Sequence, residues 1–208
     1  MSLQTMREKL FCEGFVTLSD EFEPLQKKID EVFEEYAPAS PRNGKLFRNK
    51  YQNAFDLIDE EKRESIRQMI MASNLERYVT NVVGGRIRLS HVQLRFVRVN
   101  KASYMPLHRD VHSYNDLLVG PLPVPFKVIF YPKNISENDT LKVVPRSHRR
   151  CFGMRFVDHA VNLVLSGLVS IKFGKTKAVL FETAILHHVP KIKNENSSAR
   201  LILTFTPG

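Results

Sequence analysis

His108 and Asp110, two positions apart in PLHRDVHSYN, His187 in LFETAILHHV and Arg200 in SSARLILTF are the residues of this chain whose types and spacing can do chemistry. Two imidazoles and a carboxylate, as a close pair and a distant third, make up the facial set that binds non-haem Fe(II) and leaves coordination positions open. On a strand, residues i and i+2 project to the same side, so His108 and Asp110 can face one metal while Arg109 faces away. A surface histidine beside a carboxylate would give the same HxD, and the pair draws its weight from what lies downstream.

The third ligand is His187 or its neighbour His188. Adjacent strand residues point to opposite faces, so only one of them can bind, and the other packs. His187 follows Phe181 by six positions and opens a His-x-Val pattern with Val189, which favours it. Arg200 stands between the polar NENSS and the apolar alternation LILTF, at the start of a strand with buried neighbours. A guanidinium there needs an anion, because an unpaired buried charge is costly. A carboxylate bound bidentately meets that need, and so does a structural salt bridge, although acids are scarce in this half of the chain. Gln93 and Arg95 share the polar face of the strand leading towards His108 and are candidates to contact a cofactor or substrate. A solvent-facing sheet surface would show the same pattern. Tyr104, Tyr114 and Asn115 are weaker candidates near the HxD, and His91, His112, His148 and His159 read as structural or surface residues.

The elements that must position these side chains fall into two blocks. In residues 1–85 the spacing predicts helices: DEFEPLQKKIDEVFEEYA, capped by Ser19 and Asp20, then about 59–72 and 74–83, stopping at Gly84 and Gly85. A loop marked by Pro38, Pro41 and Gly44 separates the first helix from the others. From Arg86 the pattern turns to strands: RIRLSHVQLRFVRV, FKVIFYP, LKVVP, LVSIKF, KAVLFE, AILHHV and ARLILTF, with a polar turn at NISENDT. The expected class is α+β, with a jelly roll or β-sandwich over 86–208 that carries the site, backed by the helices of 1–85. At 208 residues and 43% hydrophobic content the chain is expected to form one domain, 1–208.

Cys12 and Cys151 belong to no metal-binding spacing and are expected to be free thiols. The first 18 residues lack the apolar core of a signal peptide, and no stretch has the roughly 18 apolar residues of a membrane span, so a cytoplasmic protein is expected. Residues 1–80 hold 12 Lys/Arg against 15 Asp/Glu, whereas 81–208 hold 19 against 7. Every candidate site residue lies in the basic part, where the field is expected to draw anions such as 2-oxoglutarate or a carboxylated or phosphorylated small molecule; nucleic acid is a competing partner, and simple solubility would give the same charge excess.

Taken in order, four segments resemble the phytanoyl-CoA dioxygenase family of Fe(II)- and 2-oxoglutarate-dependent oxygenases. CEGFVTL is similar to its entry segment, in which a helix delivers a strand. PLHRD is similar to its HxD, ENDTLKVVPRSHRR to its region between the metal ligands, and KAVLFETAILHHV followed by Arg200 to its distal histidine and arginine strands. The resemblance runs through most of residues 8–205. It implies a double-stranded β-helix with iron held by His108, Asp110 and His187, 2-oxoglutarate chelating the metal and reaching Arg200, and O2 as co-substrate. The six positions from phenylalanine to histidine match the family's spacing. Asp139 and Thr140 replace a common Asn-Gly, Arg146 replaces a glycine, and the thirteen positions from His187 to Arg200 are slightly more than usual. The chain is also compact for the family, which weakens acyl-CoA specificity.

Hydroxylation of a small organic substrate, with release of succinate and CO2, is the activity implied. With Asp110 in the carboxylate position a halide has no vacant site, so halogenation is not expected. Two other classes stand beside it: a catalytically silent jelly-roll binding protein, and an oxygenase acting on protein or nucleic acid. The His-x-Val element also resembles prolyl hydroxylases. Against nucleic acid, no second arginine follows Arg200 and no aromatic stacking stripe is evident.

Overall fold

The computed structural model describes residues 2–36, 53–96, 105–110, 124–193 and 198–208. Tyr104, His112, Tyr114, Asn115 and the segment with Pro38, Pro41 and Gly44, expected as a loop, lie outside them.

Among the described residues, four α-helices come first: α1 (Leu3–Glu13), α2 (Glu23–Tyr36), α3 (Glu60–Ala72) and α4 (Leu75–Val83). A short strand, β1 (Phe15–Thr17), follows α1. Helix α2 buries Leu25, Ile29 and Phe33 at the spacing its sequence predicts, and α4 stops where Gly84 turns left-handed at φ 79°. The other strands are β2 (Ile87–Phe96), β3 (Met105–His108), β4 (Phe126–Phe130), β5 (Lys142–Val143), β6 (Val169–Ser170), β7 (Ala178–Glu182), β8 (His187–Val189) and β9 (Ala199–Pro207). A further helix, α5 (Arg155–Ser166), lies between β5 and β6.

The strands form a five-stranded sheet, ordered β1-β7-β4-β9-β2, and a four-stranded one, ordered β3-β8-β5-β6, with every pairing antiparallel. Strand alternation divides the core in two. On one face of the larger sheet Val128, Phe130, Leu180, Leu201, Leu203 and Phe205 pack against α1 to α4. On the other face Ile129, Val179, Phe181 and Ile202 meet Leu141, Val143, Ile185 and Val189. The α+β jelly roll backed by N-terminal helices is therefore the observed fold. It places the polar residues Gln93, Arg95, Lys127 and Arg200, out of phase with the helix-facing ones, between the sheets.

Some elements differ from their sequence patterns. AILHHV pairs as a strand only over His187–Val189, because residues 183–186 turn, with the Ile185 N–H donating to the Glu182 carbonyl and the Leu186 N–H to Ser147 Oγ. LVSIKF pairs only at Val169–Ser170. Helix α5 has no counterpart in the expected elements, because its polarity is inverted. Asp158 and Asn162 are its buried residues, while Phe156 and Val164 are 84% and 86% exposed. Arg146, standing in place of a glycine, still adopts the left-handed conformation, φ 68°, that a glycine takes readily.

Gly14 closes α1 at φ 86°, and a Cβ there would lie 2.5 Å from His148 Nδ1. Gly14→Ala is expected to destabilise the fold by about 2 kcal/mol, through backbone strain and the displaced imidazole, as measured by urea denaturation.

Candidate functional site

His108 ends β3 and His187 begins β8, and the two are register partners across the smaller sheet. The rings lie 4.2 Å apart between centroids. Asp110 follows β3, fixed by its N–H, which donates to the Thr183 carbonyl at 2.9 Å. Its carboxylate reaches both imidazoles: Oδ1 is 3.3 Å from His108 Nε2, and Oδ2 is 3.4 Å from His187 Nε2. One ligand atom from each of the three residues falls within 4.8 Å of the others.

The histidine tautomers follow from the backbone. Nδ1 of His108 lies 2.7 Å from the Pro106 carbonyl and Nδ1 of His187 lies 2.9 Å from the Ile185 carbonyl. A carbonyl only accepts, so Nδ1 carries the proton in each ring and Nε2 is left with its lone pair when the ring is neutral. Two such lone pairs and a carboxylate converge on one point. His108 Nε2 is buried and has no hydrogen-bond partner among the described residues. Neighbouring ligands at about 2.1 Å from an octahedral metal stand about 3 Å apart, so this donor set fits a divalent cation.

His188 points elsewhere, its Nδ1 2.9 Å from the Met105 carbonyl, and burial pushes its pKa below the ordinary imidazole value. Burial also pushes the Asp110 carboxyl up. The imidazoles of His108 and His187 and the positive charge of Lys127 outweigh it and hold Asp110 well below the usual carboxylate range, so it is ionised throughout the neutral region.

These groups open onto a cavity of about 240 Å³ between the sheets, also lined by Gln93, Arg95, Lys127, Phe181 and Arg200. Arg95 and Arg200 are direct register partners across β2 and β9. Arg200 is 3% exposed, lies over the Tyr131 ring at 5.5 Å and donates from Nη2 to the Asp139 carbonyl at 3.3 Å. The six candidates His108, Asp110, His187, Arg200, Arg95 and Gln93 thus surround one space.

Lys127 was not among them. Its Nζ lies 2.6 Å from Asp110 Oδ2, and its signal in the sequence is a cation in phase with Ile129 on an otherwise apolar strand. His148 is structural, its Nε2 held 3.0 Å from the Phe11 carbonyl.

No protein-family model matches the chain, and no curated protein matches it in sequence. Solved structures do match in fold. AviO1 from Streptomyces viridochromogenes Tue57 superposes with a TM-score of 0.67 at 15% identity, over 100% of this chain and 96% of its own. EctD from S. alaskensis, crystallised with 2-oxoglutarate and 5-hydroxyectoine, gives 0.65 at 15% identity, over 100% and 76%. SnoK, a non-heme alpha ketoglutarate dependent carbocyclase from nogalamycin biosynthesis, gives 0.69 at 11% identity, over 100% and 84%. The chain has the jelly-roll fold of 2-oxoglutarate oxygenases. That agrees with the fold implied by the phytanoyl-CoA dioxygenase resemblance, and at these identities the likeness is one of fold. Among the described residues no helix is long and apolar enough to cross a membrane.

Glu182, at the end of β7, is pushed up to about 7 by burial, against the opposing charges of Arg109 and Arg149. An acid whose folded pKa is raised costs stability once both states are ionised. The cost is absent below the ordinary carboxylate range, grows as pH rises and is complete above about 7. Glu182→Gln is therefore expected to be more stable than the parent at pH 8, by on the order of 2 kcal/mol, with the gap nearly closed at pH 4.5. Urea denaturation of both proteins at the two pH values measures it.

Proposed function

We propose that this chain is a cytoplasmic Fe(II)- and 2-oxoglutarate-dependent oxygenase, one domain over 1–208, that hydroxylates a small anionic organic substrate with release of succinate and CO2. The observation that carries the proposal is the convergence of the His108, Asp110 and His187 ligand atoms within 4.8 Å, at a cavity shared with Arg95 and Arg200. His108, Asp110 and His187 would hold the iron. Bound Fe(II) with 2-oxoglutarate supplies the O2 chemistry.

The protein's own part is binding, orientation and charge. Like charges directly opposite each other across an antiparallel pair repel, so Arg95 and Arg200, facing one cavity as register partners, form a site that an anion stabilises. The far carboxylate of 2-oxoglutarate has the charge and planar geometry for a guanidinium fork. Gln93, two positions along β2 and also in the cavity, adds a neutral donor and acceptor beside it. Among the described residues that line the cavity, Arg95, Lys127 and Arg200 are cations and Asp110 is the one acid. A divalent metal would repel the Lys127 ammonium from Asp110 and leave it available to an anionic group of the substrate. The excess positive charge of 81–208 favours entry of such anions.

A second reading is a silent binding protein, and one observation favours it. Lys127 already neutralises Asp110 at 2.6 Å, a stable arrangement that needs no metal. Measuring succinate release from 2-oxoglutarate with Fe(II) and O2, across matched carboxylic acids, phosphate monoesters and their neutral esters, separates the two. Stimulation by the acids and not by their esters is expected. Metal binding without any 2-oxoglutarate consumption would establish the silent protein instead.

A further inference from the structure

We infer that Arg109, the residue between the two ligands of the HxD, is a positioning residue for the metal site, acting together with Asp158 of α5. The inference rests on the reading of His108, Asp110 and His187 as metal ligands. Because His108 and Asp110 face the cavity, Arg109 faces the opposite way, and there its side chain is 0% exposed. A guanidinium has five N–H donors, and five acceptors meet it. Nε donates to Asp158 Oδ2 at 3.0 Å and Nη2 to Asp158 Oδ1 at 2.8 Å. Nη1 donates to the carbonyls of Ser147, at 2.8 Å, and Ala184, and Nη2 to the carbonyl of Arg150 at 2.9 Å.

These acceptors belong to three separate segments. Ala184 is in the turn that leads into His187. Ser147 and Arg150 bracket the short turn after β5. Asp158 is the buried side of α5, where it also accepts from the Phe152 N–H at 3.1 Å and from Asn162 Nδ2 at 3.0 Å. The His108–Asp110 segment and the segment leading to His187 are thus fastened to one rigid, planar cation on the side away from the ligand atoms. The adjacent bond from the Asp110 N–H to the Thr183 carbonyl shares the same seam. The ligand separations of 3.3 and 3.4 Å are set across this clamp. The inverted polarity of α5 has the same explanation: its inner face exists to hold Asp158 and Asn162 beneath the site.

A purely structural ion pair would make a different prediction. Buried pairs often contribute little net stability, and their loss shows up as destabilisation anywhere in the fold. A positioning role predicts a loss in metal affinity beyond what destabilisation explains. Supporting groups around metal ligands are typically worth 10- to 100-fold in affinity.

The test is Co(II) binding, read from the d–d absorption of the purified full chain at a temperature where circular dichroism shows it folded. Asp158→Asn keeps the shape of the site and removes the charge, and Arg109→Lys keeps the charge and removes the fork, so either can stand in should the other fail to fold. Ile29→Ala, in the helix-facing core away from the cavity, is the control for lost stability. A fall in Co(II) affinity of about 10- to 100-fold in the clamp variants, with an altered band shape and with Ile29→Ala within about twofold of the parent, is the expected result. Clamp variants that bind Co(II) like the parent would overturn the inference. Equal weakening in Ile29→Ala would also overturn it. A parent chain that bound no Co(II) would instead remove the metal reading beneath it, a failure visible before any variant is made.

Discussion

Asp110→Ala is expected to bring succinate formation to background, a loss of at least about 10³-fold, and to abolish measurable Fe(II) binding. The side chain does two things at once. It is the one anionic donor of the three converging groups, and it balances Lys127 at 2.6 Å. Its removal leaves two neutral imidazole donors beside an unbalanced ammonium, which repels a divalent cation, while the anionic ligand is gone. Asp110→Asn separates these effects, because it keeps the volume and one neutral oxygen donor while losing the charge. Weak residual metal binding with little turnover is expected for it. Retained succinate formation in Asp110→Ala, measured beside iron content, would remove this residue from the metal site.

Arg200→Ala is expected to raise the KM for 2-oxoglutarate by about 30- to 10³-fold while Fe(II) binding changes little. A charge-assisted bidentate contact to a carboxylate is worth roughly 2–4 kcal/mol when lost from a buried site. Arg200→Lys keeps a positive charge but not the fork, so a smaller rise, of about tenfold, is expected from it. Arg95→Ala tests the paired guanidinium in the same assay and should shift the same KM in the same direction. The stability of Arg200→Ala bears on the interpretation, since the guanidinium also lies over Tyr131 and bonds the Asp139 carbonyl. A variant with unchanged KM and lowered Tm would make Arg200 a packing residue.

Much of this arrangement could be read in the residues. The alternation of LILTF and VQLRF predicts two-faced strands, and the structure shows Val92, Leu94, Phe96, Leu201, Leu203 and Phe205 in the helix-facing core, with Arg200, Arg95, Gln93 and Ile202 at the cavity. The HxD spacing put His108 and Asp110 on one side and Arg109 on the other, as observed. The burial of Arg109 was not legible, because its five acceptors come from segments about 40 to 75 positions downstream, and three of them are backbone carbonyls that carry no residue signature. Helix α5 is not legible for a related reason. Hydrophobic periodicity assumes that apolar residues point inward, and here the buried residues are Asp158 and Asn162. The role of Lys127 is not legible because a lone lysine in FKVIFYP looks like an edge-strand charge until the neighbouring sheet brings Asp110 to it.

An anaerobic titration of the metal-free protein with Fe(II) and then 2-oxoglutarate tests the central claim most directly, by following the weak visible charge-transfer absorption of a 2-oxoglutarate chelate on iron. Expected are saturable Fe(II) binding and an absorption band that appears only with 2-oxoglutarate, is lost in Asp110→Ala and His187→Ala, and in Arg200→Ala needs far higher 2-oxoglutarate. Iron binding with no band at any 2-oxoglutarate concentration would contradict the oxygenase and favour a silent binding protein, and no iron binding at all would contradict the metal centre itself.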